Sequence, residues 1–407
     1  MPFSCTLPPE IWDYIIDNVH GDKKTLKACS LVAKSWLPSS HYNLFFSLSF
    51  HTRPERELED IFNFLQTSSK VHSFTYEVKL FGSFEAKNAH DTKDVVCAHV
   101  LRNVFSYLPK VASLAMSGLF VTCRTACDHD PSDYPKLSLS RLSLVGLSAR
   151  SSIFDLWQIL IMAPTLDHLA LEEVTVLSPD QDIPLNTLED TALDIKYVVL
   201  STVHLSLLRA VIQKMTFQNC LMLVYKPKLG PPMEEIPLIG HLICSAAQSL
   251  RTLHIFAGEV GAQRLIDDHE WASLNISKCI NLQTFCADFM FSEFLRRMVP
   301  ADYMSTEFKF KVLSYLPPST RRITLYYHPN QDLNAQVDGA TAFASFDWDY
   351  VEGLLSRLPH LVSALMTISA IGSEPEQNKE ANDSIRTYLN SINRRGRLIV
   401  EVAEGIQ

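Results

Sequence analysis

The stretch from residue 7 to residue 45 constrains the fold of this chain most, because it joins a pair of prolines to a dense apolar stripe. Pro8 and Pro9 stand where a helix would begin, and proline is tolerated there because the first helical N–H groups lack partners in any case. The residues behind them carry apolar side chains at i, i+1, i+4, i+5 and i+8, namely Ile11, Trp12, Ile15, Ile16 and Val19. This spacing predicts an amphipathic helix that ends at Gly21.

Two further short helices are expected directly after the first one. Asp22 is placed to cap a helix from Lys23 to Cys29, and Leu31, Val32 and Trp36 continue the apolar one-turn spacing. Burying the five side chains of the first stripe is worth roughly 8–12 kcal/mol, at about 1.5–3 kcal/mol each. Three helices of this size cannot cover so much apolar surface by themselves. The remainder must be covered by the rest of the chain or by a partner.

The ordered set Leu7-Pro8-x-Glu10, an amphipathic helix, and Leu26-x-x-Cys29-x-Leu31-Val32-x-Lys34-x-Trp36 resembles the F-box. In that family the helices pack onto a Skp-type adaptor, which bridges to a cullin, a RING protein and a ubiquitin-conjugating enzyme. The resemblance implies that eight side chains serve or support this docking: Leu7, Pro8, Ile11, Ile15, Ile16, Leu31, Val32 and Trp36.

Two departures from the F-box pattern affect the third helix. Ala33 stands where many members of the family carry a second cysteine, and Pro38 is expected to break the third helix just after Trp36. The alternative interpretation is that residues 7 to 45 form only a helical cap on the following domain. We assign residues 1–46 to the F-box.

Composition and charge limit the classes of partner that the chain can bind and the cellular compartment in which it is expected. Apolar residues make up 47% and charged residues 20% of the 407, as in a globular chain, and the net charge of −9 without a local basic stripe argues against nucleic-acid binding. The longest apolar run, from Tyr197 to Ile212, is too short for a membrane span. The N-terminus lacks the pattern of a signal peptide, and nine irregularly spaced cysteines fit reduced thiols. We therefore expect a cytoplasmic or nuclear protein without membrane contact.

The rest of the chain, residues 47–407, alternates helical and strand patterns. A motif of an apolar residue followed by Ser-x-Leu-Pro recurs at 105–109, 313–317 and 355–359. At each of these positions a predicted helix ends at the proline and a strand follows. Two of these helices are expected over 95–108 and 349–358. The strands share an apolar triplet at i, i+3 and i+5: Val71/Phe74/Tyr76, Val111/Leu114/Met116, Leu139/Leu142/Leu144, Leu166/Leu169/Leu171, Leu250/Leu253/Ile255 and Leu361/Ala364/Met366. In a chain with so many apolar residues the triplet arises by chance at about one position in ten. The triplet is therefore evidence for a strand mainly where a proline precedes it.

This alternation resembles leucine-rich repeats in a degenerate form. Strand centres at 114, 142 and 169 have the spacing of that family, whereas those at 253, 285, 323 and 364 drift apart. Where regular repeats carry an asparagine after the strand, this chain has Leu119, Leu147, Val174 and Gly258, so the side-chain ladder of hydrogen bonds in the turns should be lost. We predict an α+β or α/β fold, an F-box followed by an irregular leucine-rich-repeat-like solenoid. The alternative is a compact α/β domain with a mixed sheet.

The sequence offers little for metal, cofactor or catalytic chemistry. Cys123, Cys127 and His129 lie close together, but C-x3-C without a second pair is unlike a zinc site. Residues 128–139 begin like a calcium loop and then lack the required glycine and final glutamate. No phosphate-binding glycine loop and no nucleophile or metalloprotease motif occurs. We therefore expect no cofactor, no metal and no catalytic residue in this chain.

These expectations converge on a non-catalytic substrate receptor of a Skp-cullin-F-box ubiquitin ligase. The adaptor, and through it the cullin, would bind the F-box, and an unidentified protein target would bind the repeats. By position alone, Ser143, His254 and Thr324 are candidates for the target-binding strand face, although exposed strand residues without a role are the simpler explanation. The alternatives are an adaptor-binding scaffold outside any ligase, and an enzyme with an unrecognised site.

Overall fold

The computed structural model describes residues 7–52, 58–82, 95–122, 137–149, 152–177, 191–226, 234–256, 268–291, 310–329, 348–369 and 398–403. The chain divides into two compact units, Met1–Leu188 (unit 1) and Glu189–Gln407 (unit 2). The predicted boundary after residue 46 lies inside unit 1, between its N-terminal helices and its first strand.

Unit 1 begins with the helical module, residues 7–45. It contains α1 (Pro9–Asn18), α2 (Lys23–Val32), a 3-10 turn (Lys34–Trp36) and α3 (Leu37–Phe45). Asp22 caps α2 as predicted, because its carboxylate accepts hydrogen bonds from the backbone N–H groups of Lys24 and Thr25 at 3.0 and 3.1 Å. The first helix ends earlier than expected, with Val19 rather than Gly21 at its C-cap.

Pro38 acts in the opposite way from the prediction. It lies in the first turn of α3 and so starts that helix, because the N–H that proline lacks would have no partner at this position. The break falls instead at Ala33, whose backbone is extended (φ −149°, ψ 145°) between α2 and the 3-10 turn. As a result α2 continues to Val32, beyond the predicted end at Cys29.

The rest of unit 1 alternates strands with helices. The elements are β1 (Ser47–His51), α4 (Leu58–Thr67), α5 (Ser69–His72), β2 (Glu77–Phe81), β3 (Val95–Val96), α6 (Ala98–Ser106), β4 (Ser113–Ser117), β5 (Phe120–Val121), β6 (Arg141–Val145), β7 (Ser148–Ala149), α7 (Ile153–Leu160), β8 (His168–Glu172) and β9 (Thr175–Val176). Strands β1, β2, β4, β6 and β8 pair in that order, all parallel. The short strands β3, β5, β7 and β9 form a second parallel sheet.

Unit 2 repeats the pattern with longer strands toward its C-terminal end. Its elements are β10 (Thr191–Asp194), β11 (Tyr197–Ser201), α8 (Leu205–Lys214), β12 (Met215–Thr216), β13 (Met222–Lys226), α9 (Glu235–Ser245), β14 (Thr252–Phe256), α10 (Asp268–Ser273), β15 (Thr284–Phe291), β16 (Arg322–Pro329), α11 (Trp348–Ser356), β17 (Ser363–Ser369) and β18 (Leu398–Ala403). Strands β11 and β13 to β18 pair in chain order, all parallel. The protein is therefore an α/β structure, and its described strands pair in parallel rather than in the combination of parallel and antiparallel strands that the alternative interpretation requires.

The apolar triplets explain how the strands are anchored. In β4, β6, β8 and β14 the second and third triplet residues lie inside the strand and are buried, and the first is buried just before it. The triplet at Val71 is an exception, because Val71 belongs to α5 and the strand begins only at Glu77. The intervening strand residues lie on the opposite, more exposed face of the sheet.

A ladder of backbone hydrogen bonds links the turns of unit 1. The N–H groups of Gly82, Gly118 and Gly146 each donate to the last carbonyl of the next strand, at 2.8 to 3.0 Å. Gly118 and Gly146 have positive φ values of 64° and 59°, which glycine adopts without strain. The turn thereby buries Leu119 and Leu147 where a regular repeat would place asparagine. Main-chain hydrogen bonds therefore connect neighbouring turns, at positions where the sequence has leucine and not asparagine.

Candidate functional site

The helical module exposes five apolar side chains, which we name together the exposed apolar face: Leu7, Ile11 and Ile15 at and along α1, and Leu31 and Val32 at the end of α2. The exposed fraction is 44–45% for the first three side chains, 86% for Leu31 and 65% for Val32. Single exposed apolar residues are ordinary, but five in one small module are not. Burying what remains accessible of these five side chains would contribute roughly 4–8 kcal/mol, at about 1.5–3 kcal/mol per whole side chain.

Other side chains make the internal contacts of the module. Trp12 of α1 packs against Trp36, with ring centroids 4.6 Å apart. Ser39 donates a hydrogen bond to the carboxylate of Asp13, and Asn43 Nδ2 donates to Asp17 Oδ1 at 2.7 Å, so a polar seam joins α1 to α3. The helices are thus held together by the buried side chains of Ile16 and Leu26, by the Trp12–Trp36 pair and by polar contacts.

Two of the eight predicted docking residues, Ile16 and Trp36, pack inside the module rather than on its exposed apolar face. Ile16 is only 1% exposed, so it fills the core of the module, and any role in docking would be to support the exposed side chains from beneath rather than to contact a partner. Trp36 is half-buried against Trp12, while Pro8 is exposed at the start of α1. The prediction also omitted Tyr14, which is 69% exposed on α1. Its position three residues after Ile11 was the signal that could have found it.

The two helices that carry the exposed apolar face differ in charge. Lys24, Lys27 and Lys34 are exposed on and just after α2, whereas Glu10 is exposed on α1. Rim charges of this kind change the association rate and its salt dependence more than the affinity. The face could therefore bind a mainly apolar surface whose rim is acidic next to α2.

A second group of side chains lies on the exposed face of the unit 2 sheet. We name Phe256, His254, Asp288 and Tyr326 the sheet-face patch. Asp288 on β15 lies in register with Phe256 on β14 and with Tyr326 on β16. His254 Nε2 lies 3.2 Å from Asp288 Oδ1, and the His254 ring stacks on Phe256 with centroids 4.3 Å apart. The centroids of His254 and Tyr326 are 5.9 Å apart.

The three strand-face candidates from the sequence are only partly brought together. His254 and Thr324 lie in one register row of unit 2 with Cys286 between them. Ser143 lies on β6 of unit 1, between Ala115 and Ala170 of the neighbouring strands. Sequence analysis found His254 but missed its partner Asp288, because the two are joined only by the pairing of β14 with β15.

The thiol within this row is unsuited to act as a nucleophile at neutral pH. Burial raises the pKa of Cys286, a hydrogen bond with Thr324 opposes the rise, and the charge of Asp288 adds to it. The pKa of Tyr326 is raised as well, by burial first and then by Cys286 and Asp288. Both raised pKa values favour the neutral forms, the thiol of Cys286 and the phenol of Tyr326.

Metal and membrane sites can be examined over the described residues only. Within them, no cluster of three or more His, Cys, Asp or Glu side chains could hold a metal ion. Cys123, Cys127, His129 and most of the calcium-like loop lie outside these residues. Over the same parts of the chain, no helix is long and apolar enough to cross a bilayer.

Comparison with known proteins adds no relative to this description. A scan of the sequence against protein-family models and a search of curated proteins both found no match. The likeness to the F-box and to leucine-rich repeats therefore depends on the residues quoted above.

Proposed function

We propose that this protein is the substrate-recognition subunit of a ubiquitin ligase of the Skp-cullin-F-box type. The proposal depends on one observation above all, the exposed apolar face of the helical module. A cap on the following domain would direct that surface inward, whereas Leu31 and Val32 remain 86% and 65% exposed. The Skp-type adaptor covers this face, and the adaptor connects the chain to the cullin.

In this proposal, the strand and helix units after the module form an irregular solenoid of the leucine-rich-repeat type that holds the target protein. Support comes from the parallel pairing in chain order and from the buried apolar triplets, since each unit of such an array buries its apolar face against its neighbours. The receptor supplies no catalytic group. It raises the effective concentration of a target lysine near the conjugating enzyme. The protein acts in the cytoplasm, the nucleus or both.

Co-purification tests the proposal directly. The tagged full chain is expressed in eukaryotic cells, isolated at moderate salt, and its bound proteins are identified by mass spectrometry. We expect a Skp-type adaptor together with a cullin. Adaptor without cullin would favour the scaffold alternative, and neither protein would contradict both interpretations. A variant that lacks residues 1–46 is the matched control, because it should lose both partners while retaining those bound by the repeats.

A further inference from the structure

We propose that a cluster of four arginines in unit 2, which we name the basic edge, binds an acidic, extended segment of a partner protein. The cluster lies where strands β14, β16 and β17 begin and consists of Arg251, Arg321, Arg322 and Arg357. The inference deepens the proposed function, because that segment would belong to the ligase target. Only the identity of the partner rests on the proposed function, and the site itself rests on the geometry of unit 2.

Strand pairing brings these arginines to one edge of the sheet. The N–H of Gln283 donates to the carbonyl of Arg251 at 2.8 Å, and the N–H of Arg321 donates to the carbonyl of Gln283 at 2.9 Å. Arg251 and Arg321 therefore lie in one row, two strand spacings or about 10 Å apart. Arg322 is the first residue of β16, and Arg357 follows α11 in the turn that leads to β17. The sequence shows no basic run here, because the four residues come from three separate strand and helix units.

The basic edge is locally uncompensated in charge. All four arginines are exposed, and within the described parts of the chain none of them forms an ion pair. The segments of this edge, residues 249–252, 278–284, 319–322 and 356–363, contain no aspartate or glutamate, although the whole chain has a net charge of −9. A cation at the end of a helix, such as Arg357, stabilises that helix in any case, but the other three lie at strand starts. Their guanidinium groups are available for paired hydrogen bonds to carboxylates.

The neighbours of the arginines indicate the form of the ligand. Val362 is 70% exposed and lies beside Arg321 in the same row, since its N–H donates to the Arg321 carbonyl at 2.8 Å. The row from Arg251 to Val362 crosses three strand spacings, about 14 Å, which an extended peptide of about four or five residues covers. Gln283 is exposed between the two arginines, and its amide can bond to a peptide main chain. A segment that combines several carboxylates with an apolar side chain matches this row.

Nucleic acid matches the basic edge less well than a peptide does. A nucleic acid is a long polyanion, which the net charge of −9 repels outside the edge, and its phosphates offer no apolar contact to Val362. A short acidic segment experiences mainly the local charges, because exposed charges interact over about 8 Å at physiological salt.

The test measures binding of short peptides to the full chain by saturation-transfer NMR. The probes are three pentapeptides with blocked ends, Glu-Glu-Val-Glu-Glu, Gln-Gln-Val-Gln-Gln and Glu-Glu-Ser-Glu-Glu, and a single-stranded oligothymidylate. We expect the first peptide to bind with a Kd in the millimolar range at about 50 mM salt, and several-fold more weakly at about 300 mM salt. The glutamine peptide should bind at least about fivefold more weakly, and the serine peptide about two- to fivefold more weakly.

Three variants locate the binding. The double replacement Arg251→Gln and Arg321→Gln should weaken binding of the first peptide at least about fivefold. Val362→Ser should weaken it about two- to fivefold and remove the preference for valine over serine in the peptide. The matched control is Arg141→Gln, because Arg141 is an exposed arginine at the start of β6 in unit 1, and this variant should bind like the parent.

Several results would overturn the proposal. They are equal binding of the glutamate and glutamine peptides, no binding of either, or full binding by the double variant with an unchanged melting temperature. Tighter binding of the oligothymidylate than of the first peptide, lost in the double variant, would assign the basic edge to nucleic acid and overturn the proposal as well. The replaced side chains are exposed, so we expect all variants to fold with melting temperatures close to that of the parent.

The failure of this site and the failure of the proposed function can be told apart. Peptide binding is measured on the chain alone, without adaptor, so the Ile15→Asp variant should bind the first peptide like the parent. A chain that binds the peptide but no adaptor would retain the basic edge and lose the ligase interpretation. A chain that binds the adaptor but not the peptide would do the reverse.

Discussion

Replacing Ile15 with aspartate should abolish adaptor binding while the chain still folds. Ile15 is 45% exposed on α1, so a carboxylate at this position can reach water in the free protein. The cost to folding comes from the buried half of the side chain and from a negative charge near the C-terminal end of a helix. Each is worth about 1 kcal/mol or less, and we expect a fall of only a few degrees in melting temperature.

In the complex the same carboxylate would be enclosed by apolar surface. The contact then loses the burial of half an isoleucine, about 1 kcal/mol, and forces an unpaired charge out of water, which costs several kcal/mol more. The expected loss of about 3–5 kcal/mol corresponds to an affinity weaker by a factor on the order of 10²–10⁴. Isothermal titration of the purified chain with a purified Skp-type adaptor measures this factor.

The matched control is Ile280→Asp, which makes the same chemical change at a 56% exposed isoleucine in unit 2. It should leave adaptor affinity within about twofold of the parent. Leu31→Asp provides a second test of the exposed apolar face, because Leu31 is 86% exposed and its replacement costs the free chain little. Adaptor binding that survives both Ile15→Asp and Leu31→Asp would refute the assignment of this face as the docking surface.

Three further predictions concern stability in unit 2, each measured by chemical denaturation of the purified chain. Gly240→Ala should lower the free energy of unfolding by about 1–3 kcal/mol or more, because a Cβ there would lie 2.0 Å from the backbone oxygen of Ser273. Gly353→Ala is the control in another helix, where the added methyl group would have open space, and it should raise the free energy of unfolding by about 0.5–1 kcal/mol. The same change in stability for both variants would contradict the close contact between Gly240 and Ser273. Tyr225→Phe should cost about 1–3 kcal/mol, since the buried hydroxyl donates a 2.7 Å hydrogen bond to a carboxylate on α9, and a neutral result would refute that bond. Burial raises the pKa of Cys220 to about 12, so the stability held by its protonated thiol is complete below the usual thiol pKa and is lost as the pH rises toward 12. Cys220→Ala should flatten the alkaline decline by up to about 1.4 kcal/mol per pH unit, and an unchanged slope would contradict the assignment.

The local elements could be predicted from the sequence where a single physical rule determined them. Asp22 caps α2 because a carboxylate before a helix has free N–H groups to accept from. The triplets around Leu114, Leu142 and Leu169 mark real strands because two of their three positions fall on the buried face. Pro38 misled the prediction because proline both ends and begins helices, and only the position of the preceding break decides between the two.

The sheet-face patch shows a different limit of the sequence. His254 and Asp288 are 34 residues apart, and the chain between them contains a helix and residues whose number no rule fixes. Their contact follows from the register of β14 against β15, and a slip of one residue would turn Asp288 to the other face of the sheet. The same argument applies to the turns, where the backbone N–H groups of Gly118 and Gly146 bond to the last carbonyl of the next strand. In such a parallel sheet the main-chain pairing of distant segments decides which side chains meet, so neither the His254–Asp288 contact nor the turn hydrogen bonds leave a motif in the sequence.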